Sequence, residues 1–318
     1  MNRAGMPPAI FLMGPTCAGK TALAVELVQR LPGEVISVDS AMIYRGMDIG
    51  TAKPDATTLA IAPHRLIDIR DPAQSYSVAE FRDDALREMA AVWAKGRVPL
   101  LVGGTGLYFR ALQAGLAGMP AADPDVRARL KLEMAEAGLS AMHARLAEID
   151  PEAAGRIHPN DPQRIQRALE VFELSGRPIS VWQREQDRAG SPIAALKLVL
   201  CPAARATLHE RARRRFLDML ARGFLAEVEN LYRRPELRAD LPAMRVVGYR
   251  QAWRYLAGEV DKMTMTEQAV AATRQLAKRQ LTWLRAETGA TWLEDSGIGL
   301  NHLVGTIMET LESELGHI

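Results

Sequence analysis

Gly14-Pro15-Thr16-Cys17-Ala18-Gly19-Lys20-Thr21 matches the phosphate-loop pattern G-x-x-x-x-G-K-[ST] at every fixed position. The apolar run Ala9-Ile10-Phe11-Leu12-Met13 precedes it, and Leu23, Leu27 and Leu31 follow at helical spacing with Ala24, Val25 and Val28. The loop therefore joins a buried strand to a helix, the context in which this motif binds phosphate. Its glycines let the backbone approach a ligand, and its amides and the helix N-terminus attract phosphate oxygens. Lys20 would neutralise the distal phosphates, and the Thr21 hydroxyl is a candidate ligand for a Mg²⁺ that bridges them. The whole stretch Gly14, Pro15, Thr16, Cys17, Ala18, Gly19, Lys20 and Thr21 is thus a candidate phosphate or diphosphate cradle. Which phosphate compound it takes is not decided by the loop alone.

Working outward, Glu34 to Ser40 reads as a second short strand whose apolar part ends at Asp39. Ligands in open α/β sheets sit beyond the carboxyl ends of the strands, so Asp39 should share the sheet edge with the loop. That makes it a candidate base, against the alternative of a loop aspartate capping the next segment. Met42 to Pro54 is a glycine- and proline-punctuated loop too varied to be a linker. Leu66-Ile67-Asp68-Ile69 reads as another short strand, and Val78 to Ala94 as a helix with Phe81, Leu86, Met89 and Trp93 inward. Val98 to Val102 is a buried parallel strand by composition, and it runs into Gly103-Gly104-Thr105. This second glycine turn should return backbone and the Thr105 hydroxyl to the same edge.

From about residue 119 to residue 192 the alternation of strand and helix gives way to helices only. Asp161-Pro162 opens one of them, with Ile165, Ala168, Leu169 and Phe172 as its apolar stripe and Gln163, Gln166 and Arg167 opposite. Leu196 to Leu200 restores a strand. The expected fold is α/β, a phosphate-loop parallel sheet flanked by helices over residues 1–118 and 193–318, with an all-helical insertion at 119–192. Further on, Thr264 to Glu267 reads as a capping box that opens a helix reaching Arg285, with Arg274, Lys278 and Arg285 on one side and Arg279 and Trp283 beside them.

The two cysteines exclude a disulfide framework, and no Cys/His cluster has zinc-binding spacing. The N-terminal apolar run is too short and too broken by Pro7 and Pro8 for a secretory signal or a membrane span, so a cytoplasmic protein without membrane partners is expected. Net charge is only +2, but residues 205–285 hold 17 Lys and Arg against 9 Asp and Glu. Such an asymmetry suits a polyanion-facing surface, or a set of solvated helix faces.

Taken together, GPTCAGKT (14–21), SVDSAMIYRGMDIGTAKP (37–54), LIDIRDP (66–72), LLVGGTGLY (100–108), DPQRIQRALEVFELSGRPIS (161–180), RVVGYRQ (245–251) and KRQLTWLR (278–285) resemble the bacterial tRNA dimethylallyltransferases, in order and over nearly the whole chain. The departures, Cys17-Ala18 and Ala41-Met42-Ile43, fall on variable positions. The resemblance implies transfer of a dimethylallyl group from dimethylallyl diphosphate to the exocyclic N6 amine of the adenosine 3′ to the anticodon of tRNA, by a Mg²⁺-dependent monomer. It makes the loop a cradle for a departing diphosphate, with Lys20, Asp39 and Thr105 catalytic. It also implies tRNA contacts from Asp39, Ser40, Ala41, Met42, Thr105 and Arg127, and from Gln163, Arg164, Ile165, Gln166 and Arg167. Further contacts would come from Arg245, Val246, Val247, Gly248, Tyr249 and Arg250, and from Lys278, Arg279, Gln280, Leu281, Thr282, Trp283, Leu284 and Arg285. The rival readings are a small-molecule kinase, which leaves the last two motifs without a role, a dimethylallyltransferase acting on free adenylate, which needs no RNA surface, and an NTP-dependent RNA-binding switch, which gives Asp39 no work.

Overall fold

The computed structural model describes residues 8–114, 118–189, 193–295 and 300–315. In chain order the elements are β1 (Pro8–Met13), α1 (Lys20–Arg30), β2 (Gly33–Val38), α2 (Ala56–Ile61), β3 (His64–Arg65), α3 (Val78–Trp93), β4 (Val98–Gly103) and α4 (Gly106–Ala114). Then come α5 (Pro124–Ile149), α6 (Pro151–Arg156), α7 (Pro162–Ser175) and α8 (Ile179–Ala189). The chain ends with β5 (Ala194–Pro202), α9 (Arg205–Ala221), α10 (Phe224–Tyr232), α11 (Tyr249–Leu256), α12 (Lys262–Arg285), β6 (Ala290–Asp295) and α13 (Leu300–Leu315).

The six strands form one parallel sheet in the order β3-β2-β4-β1-β5-β6. The fold is α/β, as the sequence indicates. The runs that are apolar on both faces, β1 and β4, lie in its middle and are buried almost throughout. A strand covered on both faces needs apolar side chains at every position, so continuous hydrophobicity marks central strands of a parallel sheet. Each fully buried residue such as Phe11 or Leu12 contributes about 1.5–3 kcal/mol through burial. One core joins this sheet to α1 and α13; a second is built from Ile43, Tyr44 and Met47 with α9, α10, α11 and α12.

Chain contacts divide the protein into two compact units, Met1–Arg110 with Ile193–Ile318, and Ala111–Pro192. The second unit holds α5 to α8 around Leu130, Leu146, Ile165 and Leu169. Asp161 caps α7 by accepting from the Arg164 amide at 3.1 Å.

Two local expectations are corrected. Leu66 to Ile69 is not a strand, because Leu66 and Asp68 have φ of 60° and 56°, the left-handed region that a strand cannot contain. The strand is the dipeptide before it, which pairs with Val35 and Ile36. The start of α12 lies earlier than the Thr264 capping box, since Asp261 is its N-cap and accepts from the Thr264 amide at 2.7 Å. Among the described residues no helix is long and apolar enough to cross a membrane.

Candidate active site

The site is built on the carboxyl edge of β1, β2 and β4. Met13 lies beside Gly103 in the sheet register, and Val38 lies on the other side of the same glycine. The residues that follow these strands, Gly14, Asp39 and Gly104, are therefore neighbours although they are scattered along the first third of the chain. Gly19 ends the phosphate loop in the left-handed conformation, with φ 93°, and α1 starts at Lys20. Only glycine adopts this geometry without strain, which is why the motif fixes that position.

Lys20 folds back over its own loop, donating to the carbonyl oxygens of Gly14 at 2.9 Å and Pro15 at 2.8 Å. Burial of its ammonium lowers its pKa from 10.5 to about 8; the carboxylate of Asp39 opposes that shift and the guanidinium of Arg215 adds to it. Asp39 Oδ1 accepts from the amides of Ala41 at 2.8 Å and Met42 at 3.3 Å. Its carboxylate is thereby fixed in an Asx turn with one oxygen engaged. The Thr105 hydroxyl accepts from the Ser40 amide at 3.2 Å, and the Thr105 amide donates to Val38 O at 3.3 Å, so the turns after β2 and β4 are knit together.

The turns that carry Asp39 and Thr105 border a cavity of about 630 Å³. Thr16, Asp39, Ser40, Ala41, Met42 and Thr105 line it, and so do Arg245, Val246, Val247, Gly248, Arg279, Gln280 and Trp283 from the last third of the chain. Its apolar walls come from Tyr44, Phe216, Met219 and Leu276 with Val246 and Trp283. Trp283 stacks on Phe109 with ring centroids 6.1 Å apart, and its buried indole nitrogen has no hydrogen-bond partner.

Arg215 is a site residue that the sequence reading did not single out. Its Nη1 lies 3.5 Å from Thr16 Oγ1 and 3.9 Å from Cys17 Sγ, and its Nη2 lies 3.4 Å from Thr51 O. A guanidinium beside a phosphate loop is suited to bidentate binding of phosphate oxygens. A signal was available: on α9, Leu208, Ala212, Phe216 and Met219 are buried, and Arg215 interrupts that apolar stripe.

The long candidate RNA segments do not present every residue outward. Ser40, Gln163, Arg164, Arg245, Arg250, Lys278, Arg279, Thr282 and Arg285 are exposed. Ile165, Tyr249, Leu281 and Leu284 are buried, so as surface contacts they are corrected: their side chains pack inward, whereas Gly248, also buried, lines the cavity. Tyr249 donates its hydroxyl to Glu227 at 2.5 Å. Arg127 and Arg167 both bind the buried carboxylate of Glu170, at 2.9 Å and 2.7 Å, and Gln166 donates to Arg127 O at 2.8 Å. A buried carboxylate must be paired, which gives these two arginines a structural duty first. Burial raises the Glu170 pKa, but the hydrogen bonds from Arg167 and Arg127 outweigh it and hold the carboxyl below its usual value.

Comparison with known proteins identifies the family. The family model described as IPP transferase matches residues 42–287. A curated tRNA dimethylallyltransferase from Thioalkalivibrio sulfidiphilus (strain HL-EbGR7) is 61% identical over 307 residues, which is 96% of this chain and 96% of that protein. Among solved structures, the full-length tRNA isopentenylpyrophosphate transferase of Bacillus halodurans is 37% identical over 98% of this chain and 97% of its own, with a TM-score of 0.73. The tRNA delta(2)-isopentenylpyrophosphate transferase of Staphylococcus epidermidis is 31% identical over 96% and 99%, with a TM-score of 0.70. The family model covers more than half of the chain and these relatives nearly all of it: this chain belongs to the IPP transferase family.

Proposed function

We propose that the chain transfers the dimethylallyl group of dimethylallyl diphosphate to the N6 amine of the adenosine 3′ to the anticodon in tRNA, releasing diphosphate. One observation carries this reading. A single cavity is lined by Thr16 of the phosphate loop, Arg215, Asp39, Thr105 and an apolar wall, and the cationic residues Arg245 and Arg279 line it too. Phosphate, apolar five-carbon group, adenine amine and RNA backbone each find a matching chemistry there.

In the reaction the bond between the allylic carbon and the diphosphate oxygen breaks and a bond from that carbon to N6 forms. The departing diphosphate gathers negative charge. The loop amides, Lys20 and Arg215 are fixed donors for that charge, and pre-set donors cost no reorganisation when it develops. The N6 amine is a weak nucleophile because its lone pair is shared with the ring, and it must lose one proton. Asp39 is the acceptor: Oδ1 is held by two amides, leaving Oδ2 for the amine. Thr105, bound to the Ser40 amide, orients the reacting groups. The adenosine must leave the anticodon-loop stack to enter the cavity.

Mg²⁺ fits the donor set in a limited way. Among the described residues no group of three or more His, Cys, Asp or Glu side chains is placed to hold a metal. A cation of this kind commonly takes one protein oxygen, with substrate phosphates and water supplying the rest. Thr21, in the first turn of α1, is the residue that would hold it, and the ion would neutralise charge on the diphosphate. Gln163 and Arg164, exposed on α7 of the helical insertion (residues 119–192 of the sequence reading), are further candidate tRNA contacts. The reading includes a monomer that meets its tRNA in the cytoplasm.

The test is transfer of radiolabel from dimethylallyl diphosphate to a tRNA with adenosine after the anticodon, with AMP in a parallel reaction. Label on tRNA alone is expected. Label on AMP but not tRNA would establish the free-nucleotide reading instead, and ATP-dependent phosphorylation without prenyl transfer would establish the kinase. Asp39→Asn should lower kcat by about 10²- to 10⁴-fold with tRNA affinity nearly unchanged. Loss of tRNA binding as large as the loss of turnover would refute the assignment of Asp39 as proton acceptor.

A further inference from the structure

Gln280 lies in the segment expected to face RNA, yet its side chain points the other way. Its Oε1 accepts from the amide of Thr16, in the middle of the phosphate loop, at 2.8 Å. Its Nε2 donates to the carbonyl of Gly104, in the turn that carries Thr105, at 2.9 Å. The fit is close: a Cβ on Gly104 would lie 2.4 Å from Gln280 Nε2. One turn along α12, Trp283 packs against Gly106 in the same way, with a Cβ there 2.4 Å from the indole. The next positions around this helix, Lys278, Arg279 and Thr282, are exposed. One turn of α12 therefore offers Lys278 outward, presents Arg279 to the cavity and, through Gln280, holds both the loop that takes phosphate and the turn that orients the reaction.

We propose that Gln280 is a positioning residue that couples the two substrate sites: RNA held on the outer face of α12 and diphosphate held in the loop raise each other's affinity through this one amide. The inference rests on the proposed function and goes beyond it. Helices are stiff, so anchoring the outer face of α12 fixes the inner one. Gln280 then fixes the Thr16 amide and the Gly104 carbonyl relative to each other, and hence the diphosphate cradle relative to Thr105 and Asp39. Only glutamine satisfies both partners. Glutamate would set a second acceptor against the Gly104 carbonyl, leucine has neither group, and asparagine is one methylene too short to reach. Because coupling between two binding events is reciprocal, either affinity can be measured.

The experiment is calorimetric titration of inorganic diphosphate into the full chain in magnesium buffer, with and without a saturating anticodon stem-loop RNA. In the parent protein the RNA should tighten diphosphate binding by about 5- to 50-fold, within the usual range of coupled sites. In Gln280→Leu and Gln280→Glu this factor should fall below about 2, with RNA affinity within about threefold of the parent, the scale of a residue that does not touch RNA. Gly104→Ala, which pushes a methyl group to 2.4 Å from the Gln280 amide nitrogen and 3.1 Å from Gly14 O, should also bring the factor below about 2. Absence of coupling in the parent, or its survival in Gln280→Leu, would overturn the proposal. A Gln280→Leu protein that retains its diphosphate affinity but loses RNA binding would make Gln280 an RNA contact and overturn it as well. If the parent binds no stem-loop RNA and transfers no prenyl group, the functional reading itself has failed; coupling lost in a parent that still transfers sinks only this inference.

Discussion

Lys20 shows how one residue sets a working range. Its ammonium binds two carbonyls of its own loop, and burial brings its pKa down to about 8, against the pull of Asp39. Diphosphate binds the protonated form. Below pH 8 the proton is already present in the free protein, while above it the proton must be taken up on binding. Diphosphate affinity should therefore be flat below about pH 8 and weaken above it, by up to about tenfold per pH unit. Lys20→Arg, which does not titrate, should remove the break in a plot of log Kd against pH. The same break in both proteins would assign it to the ligand or to another group. Arg215 is the second residue on which the cradle depends. Arg215→Lys keeps the charge but loses the planar fork that spans Thr16, Cys17 and Thr51, and kcat/KM for the prenyl donor should fall by about 10-fold or more. Unchanged kcat/KM would mean that only the charge is needed.

At the scale of elements, the loop that leaves the acidic turn is held by a clamp. Glu227 on α10 accepts the amides of Asp48 at 2.8 Å, Ile49 at 2.7 Å and Gly50 at 3.1 Å, together with the Tyr249 hydroxyl. Lys53, almost fully buried, donates to Tyr44 O at 2.9 Å and binds Asp48 and Asp68. A loop of this length without regular structure keeps one shape only if its backbone groups are satisfied, and these two side chains satisfy the amides of residues 48–50 and the carbonyl of Tyr44. Gly50 and Thr51 in turn line the cavity, and Thr51 O receives Arg215. Glu227→Gln removes one acceptor oxygen and the charge. Hydrogen exchange at the amides of residues 48–50 should accelerate, and stability should fall by about 1–3 kcal/mol. Unchanged protection there would show that the loop is held by other contacts.

For the whole molecule, one cluster of ion pairs lies at the edge of the sheet opposite the chemistry. Glu34, at the amino end of β2, binds Arg65 at 2.5 Å, Lys95 at 2.9 Å and Arg97 at 3.1 Å. Burial pushes its pKa up, but the hydrogen bonds from Arg65, Lys95 and Arg97 prevail and hold it at about 2. A carboxylate with a depressed pKa adds stability that is complete above its unfolded value of 4.5 and is lost as pH falls toward 2. Glu34→Gln should therefore cost about 2 kcal/mol at pH 7, a cost that shrinks below pH 4.5 in denaturation experiments, and should leave prenyl transfer unchanged. A cost that is the same at pH 3 and pH 7 would point to packing rather than charge.

The sequence by itself determined the phosphate loop, the central strands, the helical insertion, the position of Asp39 after β2 and the family. Those features depend on local patterns: glycines where backbone must turn, apolar runs where a strand is covered on both faces, helical spacing where one face is buried. It did not determine which polar side chains of the basic segments face the ligand. Arg215 and Thr16 are 199 residues apart, Gln280 and Thr16 are 264 apart, and Glu227 and Ile49 are 178 apart. The reach of a long polar side chain is decided by what the folded chain brings near it, and no local pattern encodes that. The same reason separates exposed Lys278 and Arg279 from buried Leu281 and Leu284 within one motif, and turns Gln280 from a surface residue into the link between the phosphate loop and the Thr105 turn.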